Sequence, residues 1–263
     1  MSSRFLLQMP AAAAHGAAPG CGGLAPCAGM ELAQAAEFLR SGGALVFPTE
    51  TFYGVGCLAA NADAVARVYQ LKRRPVHKPL PLLAAHAAQV DEVAELAAMP
   101  RGLLSFWPGP LTVLLPARPC LPPALVNGEG LAAVRVTPHP LAAQLAVEAG
   151  GALTASSANL SGGEAVRTPQ QLDPALLEVL LRMAQDMPCS PACAENAATA
   201  DASLPLLPIL AGGPLPAGGL PSTVVEPLSC NAVGPAGGAG RLRIVRAGAV
   251  SASELMAAGF TLI

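Results

Sequence analysis

The sequence predicts an α/β (α+β) protein in which helices flank a mixed sheet. Short apolar runs typical of buried strands alternate with segments whose apolar residues recur at helical spacing. The chain has 263 residues, of which 52% are hydrophobic and 12% are charged. That composition provides enough apolar side chains for a sizeable core and argues against disorder throughout.

Apolar periodicity places the individual elements. The predicted helices cover residues 31–40, 62–71, 87–106, 141–148, 169–183 and 253–258, with Asn61 placed to cap the second. The predicted strands cover residues 44–47, 80–83, 111–115, 131–136, 152–155, 206–210, 223–225 and 242–245. Residues 1–29 are rich in Ala, Gly and Pro and are expected to form a flexible leader. Residues 189–205 are expected to form a surface excursion.

Charge and cysteine content argue against several classes of function. A formal net charge of −2 provides no electrostatic attraction to nucleic acid or membranes. No apolar run approaches the roughly 20 residues that span a bilayer. The seven cysteines are irregularly spaced and lack zinc-type pairs. We therefore expect reduced thiols, no metal site and a cytoplasmic location.

Basic residues cluster in one segment of the chain. Both lysines lie in residues 71–79, and five of the 15 basic residues fall within twelve positions: Arg67, Lys72, Arg73, Arg74 and Lys78. A solvated helix end would explain such a cluster, because cations complement the helix dipole. Since lysine is absent elsewhere and prolines stiffen the segment, the pattern favours an anion site, most simply for a polyphosphate.

Several polar loops follow apolar runs. FPTETFYGVG occupies residues 47–56, ASSANLSGG residues 155–163 and PSTVV residues 221–225. Each alone fits an ordinary cap or turn, and each also fits a loop that presents hydroxyl and amide groups to a phosphate or ribose. Gly54–Ala59 matches the loose dinucleotide fingerprint G-x-G-x-x-A, but the first glycine does not directly follow the strand. We interpret these glycines as serving a tight return of the chain.

Taken together, the motifs of this chain indicate a protein family far more specifically than any one of them does alone. They read, in order, PTETFYGVG, LKRRPVHKPL, WPGPLTVLLP, LAAVRVTPHPL, SSANLSG, PSTVVE and RIVRAG. This set resembles the YrdC-like family, the threonylcarbamoyl-AMP synthases, over about residues 31–258. The chain is similar to the single-domain form, which implies a YrdC-like catalytic domain over residues 30–263. The resemblance also implies a twisted mixed sheet around a deep cationic cavity.

The resemblance implies an L-threonylcarbamoyladenylate synthase, a nucleotidyltransferase. Such an enzyme makes threonylcarbamoyl-AMP and pyrophosphate from L-threonine, bicarbonate and ATP, with Mg²⁺ accompanying the ATP. The product serves threonylcarbamoyladenosine modification of tRNA position 37 and passes to a separate tRNA threonylcarbamoyltransferase complex.

The resemblance also assigns site residues. Lys72 and Arg74 are expected to be catalytic. The expected ATP contacts are Lys72, Arg74, Lys78, Ser157, Asn159 and Arg246, and the expected threonine contacts are Thr51, Arg135, Ala155 and Ser222. Glu50 is interpreted as orienting backbone or arginine groups rather than as a base. Leu83 stands where many longer relatives carry a histidine that helps to hold threonine, so we expect altered threonine contacts rather than lost activity.

Two other function classes remain open. A YrdC-like protein could be a double-stranded-RNA-binding module, although the acidic net charge argues against RNA as the main ligand and leaves only weak binding to a local basic patch. It could also be a carbamoyl-transfer protein of the hydrogenase-maturation type, although the acylphosphatase and zinc-finger regions of those proteins are not seen in this sequence.

Overall fold

A computed structural model describes residues 6–10, 24–160, 162–185, 206–210, 212–228 and 240–263. The strands are β1 (Leu6–Pro10), β2 (Leu24–Met30), β3 (Leu45–Pro48), β4 (Tyr53–Gly56), β5 (Leu82–Ala84), β6 (Leu111–Pro116), β7 (Leu131–Val136), β8 (Leu153–Thr154), β9 (Ser156–Ser157), β10 (Leu206–Leu210), β11 (Thr223–Pro227), β12 (Gly240–Arg246) and β13 (Phe260–Leu262). The helices are α1 (Leu32–Arg40), α2 (Ala62–Leu71), α3 (Ala87–Val93), α4 (Pro140–Ala149), α5 (Pro174–Gln185) and α6 (Ala252–Ala257).

The strands form two mixed sheets. The six-stranded sheet has the order β1-β2-β10-β3-β4-β9, and the seven-stranded sheet has the order β13-β12-β11-β6-β7-β5-β8. Both contain parallel and antiparallel neighbours. In the six-stranded sheet β3 is parallel to β10 and antiparallel to β4. In the seven-stranded sheet β6 is parallel to β11 and antiparallel to β7. The predicted fold class is therefore confirmed, with two sheets where the sequence indicated one.

The two sheets meet where β8 is followed by β9. These strands belong to different sheets and are separated by a single residue, Ala155. The N–H of Ala155 donates to the carbonyl of Pro81 at 2.8 Å. The chain thus passes from one sheet to the other within a few residues.

Three buried apolar clusters support this arrangement. The largest includes Val113, Val134 and Val225 of the seven-stranded sheet. A second packs the apolar face of α5 against the six-stranded sheet, with Leu177 and Ile209 fully buried. The third joins α1, α4 and strands of both sheets. Because apolar burial is the main stabilising term of folding, these clusters stabilise the packing of the two sheets and the helices.

Local sequence signals account for several helix ends. The side chain of Asn61 accepts a hydrogen bond from the N–H of Ala64 at 2.9 Å, so the predicted cap of α2 is confirmed. Ser251 and Glu254 form a reciprocal capping box at the start of α6. Gly150, at φ 84°, ends α4 in the left-handed conformation that glycine adopts readily.

The structure differs from the predicted elements in several places. The helix expected over residues 87–106 is α3 followed by two short 3-10 helices, Leu96–Ala98 and Arg101–Phe106. The helix expected over 169–183 is a 3-10 turn at Pro169–Gln171 followed by α5. Pro174 accounts for the second break, and Pro100 separates the two 3-10 helices, because proline cannot donate the backbone hydrogen bond of a helix interior. Helix α3 has already ended at Val93, where the next residue, Ala94, is extended.

A third difference is a pair of strands within the range expected as a flexible leader. β1 pairs antiparallel with β2, and β2 pairs parallel with β10. Their composition did not indicate them, because strand formation here depends on pairing with a distant segment rather than on local propensity. Residues 1–5, 11–23 and the predicted excursion at 189–205 lie outside the described residues.

The glycines of FPTETFYGVG lie inside strand β4 rather than in a tight return, which corrects the expectation for them. Gly54 pairs with Phe47 of β3 and with Ser157 of β9. A Cβ atom at Gly56 would lie 1.6 Å from the carbonyl oxygen of Thr154. Gly56 is therefore needed because β4 and β8 approach too closely for any side chain.

This close approach gives a stability prediction. Gly56→Ala is expected to lower the free energy of unfolding by about 3 kcal/mol or more, since backbone must move to admit the methyl group. Gly128→Ala is the matched control, because a Cβ atom at Gly128 would have no neighbour within 4 Å, and it should change stability by less than about 1 kcal/mol. Urea unfolding of both variants measures the difference. Equal stabilities would contradict the close approach.

Among the described residues, none of the helices combines the length and the apolar character needed to cross a membrane.

Candidate active site

A cavity of about 330 Å³ lies between residues of the two sheets. Its wall includes eight of the residues that the sequence analysis selected: Thr51, Arg74, Arg135, Ala155, Ser157, Asn159, Ser222 and Arg246. They come from six separate parts of the chain. The volume is within the range of small-molecule sites.

Thr51 reaches the cavity from the turn of the β3–β4 hairpin. The hydroxyl of Thr49 donates to the carbonyl of Phe52 at 2.7 Å and so closes this turn. The carbonyl of Thr51 accepts a hydrogen bond from the N–H of Gly218 at 2.8 Å. Among the described residues, the Thr51 hydroxyl has only a 3.5 Å contact with the Thr49 hydroxyl. It is therefore available to a ligand.

Arg135 faces the hairpin turn from strand β7 of the other sheet. Its Nε atom lies 2.9 Å from a carboxylate oxygen of Glu50, and both side chains are almost fully buried. The hydroxyl of Thr137 donates to the second carboxylate oxygen at 2.8 Å. This geometry agrees with the expectation that Glu50 orients an arginine.

Arg246 and Ser222 form the wall at the ends of β12 and β11. The Nη2 atom of Arg246 donates to the carbonyl of Ser222 at 2.6 Å and contacts its hydroxyl at 3.1 Å. The Ser222 hydroxyl also lies 2.9 Å from the hydroxyl of Thr112. A Cβ atom at Gly248 would lie 2.2 Å from the carbonyl oxygen of Pro221, so glycine permits this crossing of the two segments.

Arg74 reaches the cavity from the segment after α2. Its Nε donates to the carbonyl of Lys78 at 2.8 Å, and its Nη2 donates to the carbonyl of Pro79 at 3.2 Å. The Lys78 side chain itself is exposed and does not line the cavity. In this structure Lys78 contributes a backbone oxygen that positions Arg74.

Lys72 lies behind the cavity wall and is 1% exposed. Its Nζ atom donates to the carbonyls of Ser157 and Asn159, the second at 2.7 Å, and contacts the side-chain oxygen of Asn159 at 3.3 Å. The same side-chain oxygen accepts the hydroxyl hydrogen of Ser157. Lys72 thus holds the loop that presents Ser157 and Asn159 to the cavity.

The arginines of the wall influence one another. Burial lowers the pKa of Arg246, and the positive charges of Arg135 and Arg74 lower it further. The guanidinium groups of Arg135 and Arg74 are therefore close enough to repel that of Arg246. A bound anion would relieve this repulsion, because opposite charge stabilises the charged form of each group.

The buried ammonium of Lys72 gives a pH prediction. Burial lowers its pKa from 10.5 to about 8, and the charge of Arg74 acts in the same direction. Between these values the unfolded chain binds more protons than the folded chain, so the free energy of unfolding should rise with pH from about 8 to 10.5. Relative to Lys72→Met, the expected rise is about 3 kcal/mol at most.

Urea unfolding of the wild type and of Lys72→Met, measured at intervals through this pH range, tests the prediction. Taking the difference removes the contribution of every other titrating group. A difference that stays constant or falls with rising pH would contradict it.

Leu83 has no place in the cavity wall. It is fully buried in the apolar cluster that contains Leu153 and Ala155. In register, it pairs with Arg135 of β7 and with Leu153 of β8. The position at which the resemblance leads one to expect a histidine in longer relatives is therefore a core position of this structure.

Three polar residues that support the wall were not predicted from the sequence. Thr137 bonds to Glu50, Thr112 bonds to Ser222, and Ser156 lines the cavity from β9. Only Ser156 lay within a motif singled out for its polar side chains. The other two follow from contacts between strands that the sequence does not place together. Among the described residues, no group of three His, Cys, Asp or Glu side chains could hold a metal ion.

Comparison with known protein sequences identifies the relatives of this chain. The Sua5_yciO_yrdC family model, described as "Telomere recombination", matches residues 37–194. A threonylcarbamoyl-AMP synthase of Methylococcus capsulatus is 45% identical over 146 residues, covering 55% of this chain and 78% of that protein. The enzyme of the same name from Stenotrophomonas maltophilia is 40% identical over 155 residues, covering 57% of this chain and 83% of that protein.

Solved structures show the same fold. The crystal structure of P. abyssi Sua5 complexed with L-threonine matches with a TM-score of 0.64 and 26% identity, covering 88% of this chain and 58% of that chain. E. coli YciO matches in fold with a TM-score of 0.56 and 21% identity, covering 85% of this chain and 91% of that one. Together with the family match over more than half of its length, these findings show that the chain belongs to the Sua5/YciO/YrdC family.

Proposed function

We propose that this protein is an L-threonylcarbamoyladenylate synthase, a nucleotidyltransferase that makes threonylcarbamoyl-AMP and pyrophosphate from L-threonine, bicarbonate and ATP. The observation that supports this most strongly is the gathering of three arginines and several hydroxyl and amide groups around one cavity of about 330 Å³. The names of the bacterial relatives and the threonine complex of P. abyssi Sua5 point to the same reaction.

In this proposal the carboxylate of threonine binds Arg135. A guanidinium can offer two parallel N–H groups to a carboxylate, and none of the Nη atoms of Arg135 is hydrogen-bonded to another described residue. Thr51 and Ser222 line the same cavity and would contact the rest of threonine. Ala155 would contribute contact surface, since its N–H is already bonded to Pro81.

The phosphates of ATP would bind Arg74, Arg246, Ser157 and Asn159. Arginine side chains suit phosphate oxygens because they are permanently charged and present several donors. Lys72 would act through the loop that it holds, and Lys78 through the backbone oxygen that positions Arg74. Fixed positive charge is the main help that a protein can offer to phosphoryl chemistry.

The proposed reaction proceeds in two steps. The neutral amine of threonine adds to CO₂ from bicarbonate, losing a proton and forming a carbamate. A carbamate oxygen then attacks the α-phosphorus of ATP, and pyrophosphate leaves. Holding three reactants together is itself a large contribution, up to about 7–11 kcal/mol in well-oriented intramolecular models.

Mg²⁺ would enter with ATP rather than occupy a site made by the protein. Of the carboxylates near the described wall, Glu50 is already engaged by Arg135 and Thr137. Mg²⁺ in nucleotide sites is commonly held by substrate phosphates and water with few protein ligands. The ion would neutralise charge on the phosphates while the arginines bind the remaining oxygens.

We further propose that the product serves the modification of tRNA position 37 through a separate tRNA threonylcarbamoyltransferase complex, in the cytoplasm. An RNA-binding role has less support, because the arginines of the site surround a small cavity rather than an extended surface.

Pyrophosphate release tests the proposed reaction. Purified protein with ATP, Mg²⁺ and bicarbonate should release pyrophosphate only when L-threonine is added. Absence of release with fresh bicarbonate would contradict the proposal. Release that requires carbamoyl phosphate in place of bicarbonate and threonine would support carbamoyl transfer, and RNA binding without release would support the RNA-binding role.

A further inference from the structure

We infer that Glu50 is a positioning residue for threonine recognition, which holds Arg135 at a fixed distance from Thr51 across the cavity. This inference rests on the proposed function and assigns a role to a residue that does not itself line the cavity. Three observations support it: the buried ion pair, the anchoring of the carboxylate, and the anchoring of the turn that carries Glu50.

The ion pair joins the two sheets. Glu50 lies in the hairpin turn of the six-stranded sheet, and Arg135 lies on β7 of the seven-stranded sheet. Their side chains are only 10% and 6% exposed, and the closest atoms are 2.9 Å apart. The N–H of Arg135 does not point directly at the oxygen, so the contact is an ion pair without a hydrogen bond. Buried charges of this kind are weakly screened by solvent.

Thr137 fixes the carboxylate of Glu50. Its hydroxyl donates to Oε2 at 2.8 Å and accepts the N–H of His139 at 3.1 Å. Because an ion pair alone is not directional, this hydrogen bond determines where the negative charge sits relative to Arg135. Oε2 thus accepts a hydrogen bond and Oε1 faces the Arg135 guanidinium, which argues against Glu50 as a general base.

The backbone of Glu50 is anchored as well. Its carbonyl accepts the N–H of Ala217 at 3.1 Å, and the next carbonyl, that of Thr51, accepts the N–H of Gly218 at 2.8 Å. Thr51 follows Glu50 directly in the chain. The ion pair therefore links the Thr51 hydroxyl and the Arg135 guanidinium, which would contact opposite ends of the same amino acid.

Positioning and simple charge reduction predict opposite results. If Glu50 served only to weaken the positive charge of Arg135, its neutralisation would strengthen the binding of a carboxylate. If Glu50 positions Arg135, neutralisation leaves the guanidinium free to move and weakens binding. A glutamine at this position has nearly the same shape as glutamate and so separates the two roles.

The experiment compares Glu50→Gln, Thr137→Val and a matched control in the pyrophosphate assay. Glu178→Gln is the control, because Glu178 forms an exposed ion pair with Arg182 on α5. We expect Glu50→Gln to raise the KM for threonine about tenfold or more, since it breaks a buried charge pair. Thr137→Val should shift it in the same direction by a smaller factor. The KM for ATP and the kcat should change by less than about threefold.

The wild-type protein separates this inference from the proposed function. If the wild type shows no threonine-dependent release, the proposed function fails. If the wild type is active and Glu50→Gln has an unchanged or lower KM for threonine, the positioning role is overturned. Equal changes in the KM for threonine and for ATP, accompanied by a lower melting temperature, would indicate a merely structural role and would also overturn it. Glu178→Gln should match the wild type throughout.

Discussion

Arg135→Lys is expected to lower kcat/KM for threonine by about 100-fold or more, the largest effect that we predict for a single conservative change. Lysine keeps the positive charge beside Glu50 but replaces a planar fork with a single ammonium. The ion pair would keep that ammonium at the Glu50 carboxylate. The ligand carboxylate would then lose both of its proposed donors.

The kinetics of this variant separate a binding role from a folding role. The KM for ATP should change little, and the melting temperature should stay close to that of the wild type because the ion pair persists. Arg182→Lys is the matched control, since Arg182 pairs with Glu178 in an exposed position. An Arg135→Lys variant that saturates with threonine as the wild type does would contradict the assignment of Arg135.

Lys72→Met is expected to lower kcat/KM for ATP by about 100-fold or more, although Lys72 does not line the cavity. Methionine fills similar space but donates no hydrogen bond. The carbonyls of Ser157 and Asn159 would lose their buried donor. Leaving such groups unsatisfied costs roughly 1–3 kcal/mol each, so we expect the loop to shift and carry Ser157 and Asn159 away from the nucleotide.

The other lysine provides the comparison. Lys78→Met removes an exposed ammonium that lies outside the cavity wall, and it should cost less than about tenfold in kcat/KM. Circular dichroism and thermal unfolding show whether Lys72→Met remains folded. A folded Lys72→Met variant with wild-type kinetics would contradict the role assigned to Lys72.

Burial changes what alanine substitutions can reveal about Lys72 and Arg74. Because the sequence assigns catalytic roles to both Lys72 and Arg74, alanine at either position would be expected to impair turnover far more than folding. The structure separates them: Arg74 is half-buried at the cavity wall, whereas Lys72 is 1% exposed and bonded on several sides. Lys72→Ala would leave a void as well as unpaired carbonyls, so it should also destabilise the fold.

The sequence predicted the elements whose signals are local. The bounds predicted for α2 and β7 agree with the structure, because apolar spacing and the Asn61 cap are properties of the segment itself. It failed to predict β4, whose two glycines have low strand propensity. The approach of Thr154 explains Gly56, but this contact is not visible in the sequence. Strand β2 was missed for the same kind of reason, since its partner β10 is distant in sequence.

The candidate site also contains residues that the sequence predicted and contacts that it did not. The family motifs selected residues that the structure brings to one cavity, including Thr51, Arg135 and Arg246. They did not indicate that Lys72 is buried, because a lysine in a basic run is normally solvated. Nor did they indicate the bond between Glu50 and Thr137, which are 87 positions apart. Contacts of this range follow from the meeting of two sheets, which no local pattern encodes.

The most direct test of the account follows the carbon of bicarbonate. Purified protein is incubated with ATP, Mg²⁺, L-threonine and carbon-labelled bicarbonate, and the adenylate products are separated and analysed by mass spectrometry. We expect an adenylate that contains threonine and one labelled carbon, formed in equal amount with pyrophosphate and absent when any reactant is omitted. Pyrophosphate release without the labelled carbon in the adenylate would contradict it.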